Sequence, residues 1–243
     1  MEVKYYELEL PSRLIPYKAD GVTLVEVRML KGRDEKLIGE FTLNNFEKKF
    51  KLLLDNVIRG IDPAKLTIGD RFFVLMWLAM NCYSNVYPIQ LICEHCFRKT
   101  DNYEINLGEL EKLSLPEDYV EPYAVTLTNG DVVNLRQFTV QDQINYVDFT
   151  AQREGKDDIL FKLAQGLVDD NDMGKRIEYL EEMSTKDLGL IRAFYETFAH
   201  GVKLETGYTC PKCGGAGITP VPFRLDLLLP AGKTVAASIE RGF

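Results

Sequence analysis

"LICEHCFRK" at residues 91–99 and "YTCPKCGGA" at residues 208–216 decide how this chain closes on itself. Each carries two cysteines separated by two residues: Cys93 and Cys96 in the first, Cys210 and Cys213 in the second. The chain has only 5 cysteines, and four of them build two distant copies of one spacing. Two C-x-x-C pairs supply the four thiolates of a tetrahedral zinc site, with backbone N–H groups of each tight turn helping to hold the sulfurs deprotonated. Gly214 and Gly215 permit the positive φ that such a turn needs after its second ligand. In the first pair the glycine is missing, while Arg98 and Lys99 place positive charge near a dianionic centre. A strand-like run precedes each pair, as in a zinc ribbon. The spacing therefore predicts one structural zinc site, with Cys93, Cys96, Cys210 and Cys213 as ligands, that clips together segments far apart in sequence.

Other readings of the cysteines remain open at this level. A redox dithiol normally opens a helix after a core strand, whereas Gly-Gly-Ala-Gly-Ile-Thr-Pro follows Cys213. Two separate metal-free pairs are a further possibility. A catalytic zinc needs an open coordination position beside a general base. His95 lies inside the first turn and is expected to point away from the metal, and His200 is expected to cap helix carbonyls. Cys82 and Trp77 read as core residues.

Bulk composition bounds the function. The chain has 243 residues, 46% of them hydrophobic and 27% charged, enough for one large domain or two small ones. A net charge of −8 and a pI near 5.0 argue against general nucleic-acid binding, which needs cations to replace phosphate counterions. The first residues lack the sections of a secretion signal, and the longest apolar run, "FFVLMWLAM" at 72–80, is too short to span a bilayer. These features predict a soluble protein made in a reducing cytoplasm, where paired cysteines favour metal or redox chemistry over a disulfide. Neither a Walker-type glycine loop nor H-E-x-x-H or G-x-S-x-G occurs, and the acidic runs "EYLEEM" and "DDNDMG" read as solvated surface.

Along the chain, "VKYYELELPS" and "GVTLVEVRML" read as strands. "NNFEKKFKLLLDNVIRG" reads as a helix capped by Asn44 with Glu47 and stopped at Gly60. Thr67 and Asp70 cap a second helix, "RFFVLMWLAMNCY", apolar nearly all round and so the most buried. "YPIQLICEHC" and "KTDNYEINL" form a strand and its return. "PYAVTLTNGDVVNLRQF" is a hairpin turning at Asn129-Gly130. Thr139 and Asp142 open a helix on Val140, Ile144 and Val147, and residues 157–200 are helical. The last helix there is capped by Ser184 with Asp187 and stopped by Gly201. "TPVPFRLDLLLP" reads as extended. "DGVTLVEVRMLKGRDEKL" and "NGDVVNLRQFTVQDQINY" share a turn, a strand ending near an arginine (Arg28, Arg136) and a following acid (Asp34, Asp142), a weak internal repeat.

The order of "LPSRLIPY", "LTIGDRFFVLMWLAMNCYSNVYPIQLICEHC", "LTNGDVVNLRQFTVQDQ" and "CPKCGGAGITPVPFRLDLLLP" resembles the baseplate hub assembly and structural proteins of T-even-type tailed phages. The resemblance covers about two thirds of the chain and is weakest from Glu154 to Thr185. It implies that Gly69 and Asp70 start a helix and that the four cysteines hold the metal. It further implies a non-enzymatic part of the machinery that forms a tail baseplate, with other baseplate and tail subunits as partners and the virion as destination. "KGRDEKLIGE" departs from the family's threonine-led acidic helix, so the first repeat unit is expected to be distorted. An assembly factor absent from the mature virion and a zinc-ribbon nucleic-acid module are the alternatives.

The fold class expected is α+β: small sheets and a split four-cysteine zinc ribbon with packed helical units. The expected division is a strand-helix domain at 1–92, the ribbon at 93–113 and 203–223, an inserted hairpin and helical domain at 114–202, and an arm at 224–243.

Overall fold

A computed structural model describes residues 3–42, 45–153, 158–170, 172–222 and 225–228. Its described residues form seven α-helices and eleven short strands in a mixed α+β arrangement, as expected. Strands β1 (Tyr5–Glu7) and β2 (Glu26–Arg28) pair antiparallel, with Tyr5 opposite Arg28. Helices α1 (Gly32–Ile38) and α2 (Phe46–Val57) follow, and β3 (Ile58–Arg59) returns to β2, placing Ile58 opposite Val27. The apolar helix α3 (Ile68–Cys82) leads into the hairpin β4 (Val86–Ile92) and β5 (Lys99–Asn106), whose turn is the first cysteine pair.

A two-residue strand β6 (Lys112–Leu113) then leads to the hairpin β7 (Tyr123–Thr126) and β8 (Val132–Leu135). Helices α4 (Val140–Gln152) and α5 (Ile159–Gly166) follow, after which Leu167 bridges back to Leu135 of β8. Next come α6 (Met173–Glu181), α7 (Thr185–Thr197) and the short strand β9 (Gly201–Val202), which pairs with β6. The second cysteine pair turns between β10 (Glu205–Thr209) and β11 (Ala216–Pro220).

This order is run through twice. Arg28 donates to Asp34 at 2.7 and 3.0 Å and to the carbonyl of Met29; Arg136 donates to Asp142 at 2.6 and 3.0 Å and to the carbonyl of Gln137. In both units the aspartate also accepts the N–H of the residue just before the helix, Lys31 or Thr139, at 2.8 Å. Later in each unit a capped helix repeats the device. Thr67 accepts from the Asp70 N–H, and Asp70 accepts the Ser12 N–H at 2.9 Å. Ser184 accepts from the Asp187 N–H, and Asp187 accepts the Thr128 N–H at 2.8 Å. One offset of 117 residues relates Thr67 to Ser184, Asp70 to Asp187, Cys93 to Cys210 and Cys96 to Cys213. The internal repeat read from the arginine strands thus extends to the cysteines. "KGRDEKLIGE" keeps the Asp34 half of the cap, but Lys31 replaces threonine and supplies no hydroxyl. The resulting α1 has 7 residues against 13 in α4.

The units pack through shared core. Val140 and Ile144 of α4 join the cluster formed by α2 and α3, with Leu53, Leu54, Val74, Leu75 and Leu78 fully buried. A second cluster gathers Leu135, Leu163, Leu180, Ile191 and Phe194. Backbone bonds cross the seam: the Ile68 N–H donates to Phe138 and the Val140 N–H to Leu66. Gly69 and Gly201 meet there backbone to backbone. A Cβ on Gly69 would lie 2.2 Å from the His200 carbonyl, and one on Gly201 would lie 2.9 Å from the Gly69 carbonyl.

Several local expectations shift. Asn44 lies outside the described residues; α2 is preceded by Asn45, whose side chain accepts the Thr42 N–H instead of capping the helix. Glu47 pairs with Arg71 of α3. Helix α2 ends at Val57 rather than Gly60, because Ile58 and Arg59 are captured as a strand by β2. Gly60, at φ +93°, lies against the Leu24 carbonyl, where a Cβ would come within 2.2 Å. The hairpin of β7 and β8 turns on Thr128-Asn129: the Gly130 N–H bonds to Leu127, and Gly130 takes the left-handed position beyond the turn. Helix α7 stops at Thr197, so Gly201 serves the seam, not the helix end. "TPVPFRLDLLLP" is not extended throughout. Leu225–Leu228 form a 3-10 turn, and Leu227 and Leu228 are buried in the first core, so the segment expected as an arm begins against the fold. Residues 229–243 lie outside the described residues.

Candidate metal centre

Strand geometry brings the two turns together. On β4, alternation buries Tyr87, Ile89, Leu91 and Cys93 and exposes Val86, Gln90 and Ile92. On the second hairpin Tyr208 and Cys210 face the same way, and Leu91, Cys93, Tyr208 and Cys210 form a small separate core. The two turns share one hydrogen-bond pattern. The Phe97 N–H donates to Cys93 O and the Gly214 N–H to Cys210 O, each at 2.9 Å. The Cys93 N–H bonds to Arg98 O at 3.2 Å and the Cys210 N–H to Gly215 O at 2.8 Å. His95 N–H lies 3.4 Å from Cys93 Sγ, and Lys212 N–H lies 3.4 Å from Cys210 Sγ. Thus the backbone of each turn donates to its first sulfur, the feature expected of a thiolate-holding knuckle.

All four Sγ atoms lie within 4.8 Å of one another. Cys93 and Cys213 are 3.7 Å apart and Cys96 and Cys210 are 3.8 Å apart. A disulfide needs about 2.05 Å, and all five cysteines are free. A tetrahedron with metal–sulfur bonds of about 2.3 Å has edges of about 3.8 Å, so the sulfur spacing fits a single tetrathiolate ion.

Protonation of the cluster is uneven. The Cys96 N–H, then the His95 N–H and the Cys210 and Cys213 thiols, bring Cys93 down to about 6 against a burial effect that raises it. For Cys213 the Gly215 N–H acts downward, but desolvation and the three other sulfurs outweigh it and push the thiol up to about 12. Four thiolates repel one another in so small a space. A cation held by the four sulfurs would remove that repulsion, and binding it would expel the protons.

The ring of His95 turns from the sulfurs, its Nε2 lying 2.8 Å from the carbonyl oxygen of Ala216. That contact joins the first turn to the second hairpin. His200 also acts across the seam: its Nδ1 is 3.2 Å from the Phe198 carbonyl oxygen and its Nε2 is 2.7 Å from Thr67 Oγ1. Trp77 and Cys82 pack against the first core, and the Cys82 sulfur accepts the Leu30 N–H. Two tyrosines went unnoticed in the sequence. Tyr208 Oη accepts the Glu94 N–H at 3.0 Å, and Tyr103 Oη accepts the Thr209 N–H at 3.4 Å, so each hairpin sends a phenol to the other. Their alternation with buried strand positions was the available signal.

An α+β scaffold of two similar units joined at a four-cysteine cluster, with the cluster split between distant segments, is the class defined by this fold and site. The chain belongs to the T4 bacteriophage base plate protein family, whose model matches residues 6–221. No curated protein and no solved structure matches it. None of the helices among the described residues is long and apolar enough to cross a membrane.

Proposed function

We propose that the chain is a non-enzymatic structural component of a phage tail baseplate, stapled by zinc on Cys93, Cys96, Cys210 and Cys213 and docked to neighbouring baseplate subunits. The family match over residues 6–221 carries this reading. Zinc is favoured because four thiolates at tetrahedral spacing suit a soft, d¹⁰ ion with no geometric demand of its own. The division into a domain at 1–92, a ribbon at 93–113 and 203–223, an insert at 114–202 and a terminal arm belongs to the same reading. Mass spectrometry of purified particles tests the location: this chain is expected among the tail proteins, and its absence would favour an assembly factor. Elemental analysis and X-ray absorption of the purified protein test the site, with one zinc per chain in an all-sulfur shell as the expected outcome. A metal-bound water would instead revive a catalytic role.

A further inference from the structure

The repeated units act as controls for each other, and they differ sharply at one place in the knuckles. Phe97 and Gly214 are equivalent positions, each just after its second cysteine and each donating to the first cysteine's carbonyl. Both adopt the left-handed backbone, with φ +55° at Phe97 and +74° at Gly214. Only glycine takes this conformation without steric cost. The second knuckle uses glycine there; the first holds a bulky aromatic in the disfavoured conformation and leaves it 80% exposed. On the same hairpin Ile92, paired with Lys99 where the turn begins, is 58% exposed. The turn gains nothing from a phenyl ring that its twin closes without.

The charge around this ring differs from that of the whole molecule. Within the stretches 93–99 and 210–216, Arg98, Lys99 and Lys212 are exposed and Glu94 is the single carboxylate, on a chain of net charge −8. Lys99 pairs with Asp101, whereas Arg98 and Lys212 have no ion-pair partner among the described residues. An exposed aromatic next to Arg98 in the chain, with Lys212 exposed in the other knuckle, matches an apolar pocket rimmed by carboxylates, and the acidic remainder of the surface disfavours other orientations. The same negative charge weighs against nucleic acid as the occupant.

We propose that Phe97 is a docking anchor, inserting with Ile92 of the same hairpin into an apolar, carboxylate-rimmed pocket on another baseplate protein, and that Arg98 and Lys212 orient the contact. The proposal rests on the baseplate reading and names the chemistry of the partner.

The test uses the full chain in a phage-producing host. With p-benzoylphenylalanine at position 97, irradiation of assembled tails is expected to crosslink the chain to one other baseplate protein, at a peptide whose apolar residues are flanked by Asp or Glu. Phe97→Gly copies the twin knuckle, so it is expected to keep full metal content and a melting temperature no lower than that of the unaltered chain while its incorporation falls at least tenfold. Arg98→Gln with Lys212→Gln removes both cations without adding carboxylates beside the sulfurs and should also incorporate poorly. A crosslink to a second copy of the chain or to nucleic acid overturns the proposal, as does the absence of any crosslink from a chain that is present in the tail. Normal incorporation of Phe97→Gly, or its loss of metal, does the same. If the unaltered chain is missing from tails and from their assembly intermediates, the baseplate reading falls and the anchor falls with it.

Discussion

Arg28 and Asp34 bury both charges, their side chains being 2% and 0% exposed, and each nitrogen of the guanidinium meets an acceptor. Removing one partner leaves the other uncompensated, which costs about 3–5 kcal/mol for a buried pair. Arg28→Ala is therefore expected to lower the unfolding free energy in urea by that amount. Arg136→Ala should cost less, because the Arg136 side chain is 29% exposed and water can reach Asp142. The carboxyls also set the acid response. Burial raises Asp34, but the bonds from Arg28 and the Lys31 N–H, with the Arg28 and Arg33 charges, hold it below the usual carboxylate range. A depressed folded value contributes stability above the unfolded value, near 3.9, that is lost as pH falls through the folded one. Glu121 has the opposite sign. Desolvation raises it against the Tyr119 hydroxyl, the Gln137 backbone and the Arg136 charge. Glu121→Gln is accordingly expected to raise the urea midpoint at pH 7 and to lose that advantage below about pH 4, where the native carboxyl is protonated in both states.

Among the elements, capped helices were the most legible in sequence. Thr67 with Asp70, Thr139 with Asp142 and Ser184 with Asp187 each announce a helix start, because a hydroxyl and a carboxylate three residues apart satisfy N–H groups that any helix leaves unpaired. Helix ends were less legible. Gly60 and Gly201 looked like stops, yet both are placed by close backbone approach to another segment, which no local pattern announces. Alternation revealed the strands beside the cysteines, while strand β2 shrank to three residues because its pairing partner is short. At the site, the four cysteines were readable from spacing alone; the partners of the Tyr103 and Tyr208 phenols were not, since they lie more than a hundred residues away. The seam gives a test at this scale. Gly201→Ala both strains a φ of +123° and drives a methyl against Gly69, so a loss of about 1–3 kcal/mol is expected by thermal or urea unfolding. Gly130→Ala, where nothing lies within 4 Å, isolates the backbone part of that penalty.

Over the whole molecule, the proposed ion would close a chain loop of 114 residues between Cys96 and Cys210. By the chain-entropy estimate for a crosslink, a loop of that length is worth about 4–5 kcal/mol, before any intrinsic affinity for the ion. Chelation, or Cys210→Ser, should lower the melting temperature by several degrees and abolish stoichiometric zinc, as read by calorimetry alongside elemental analysis. The unaltered melt of a Cys210→Ser variant would mean that the shared core alone holds the units together. Such a core exists, because Val140 and Ile144 pack with α2 and α3; partial loss, not complete unfolding, is the outcome expected.

The equal 26-residue path from Thr67 to Cys93 and from Ser184 to Cys210 has a practical side. Each sulfur pair is the far end of a lever whose fulcrum is a capped helix start, so a slip at either fulcrum would distort the sulfur cluster. Cobalt placed there would act as a strain gauge: its visible absorption should change when Asp70 or Asp187 is altered, although neither carboxylate touches the ion.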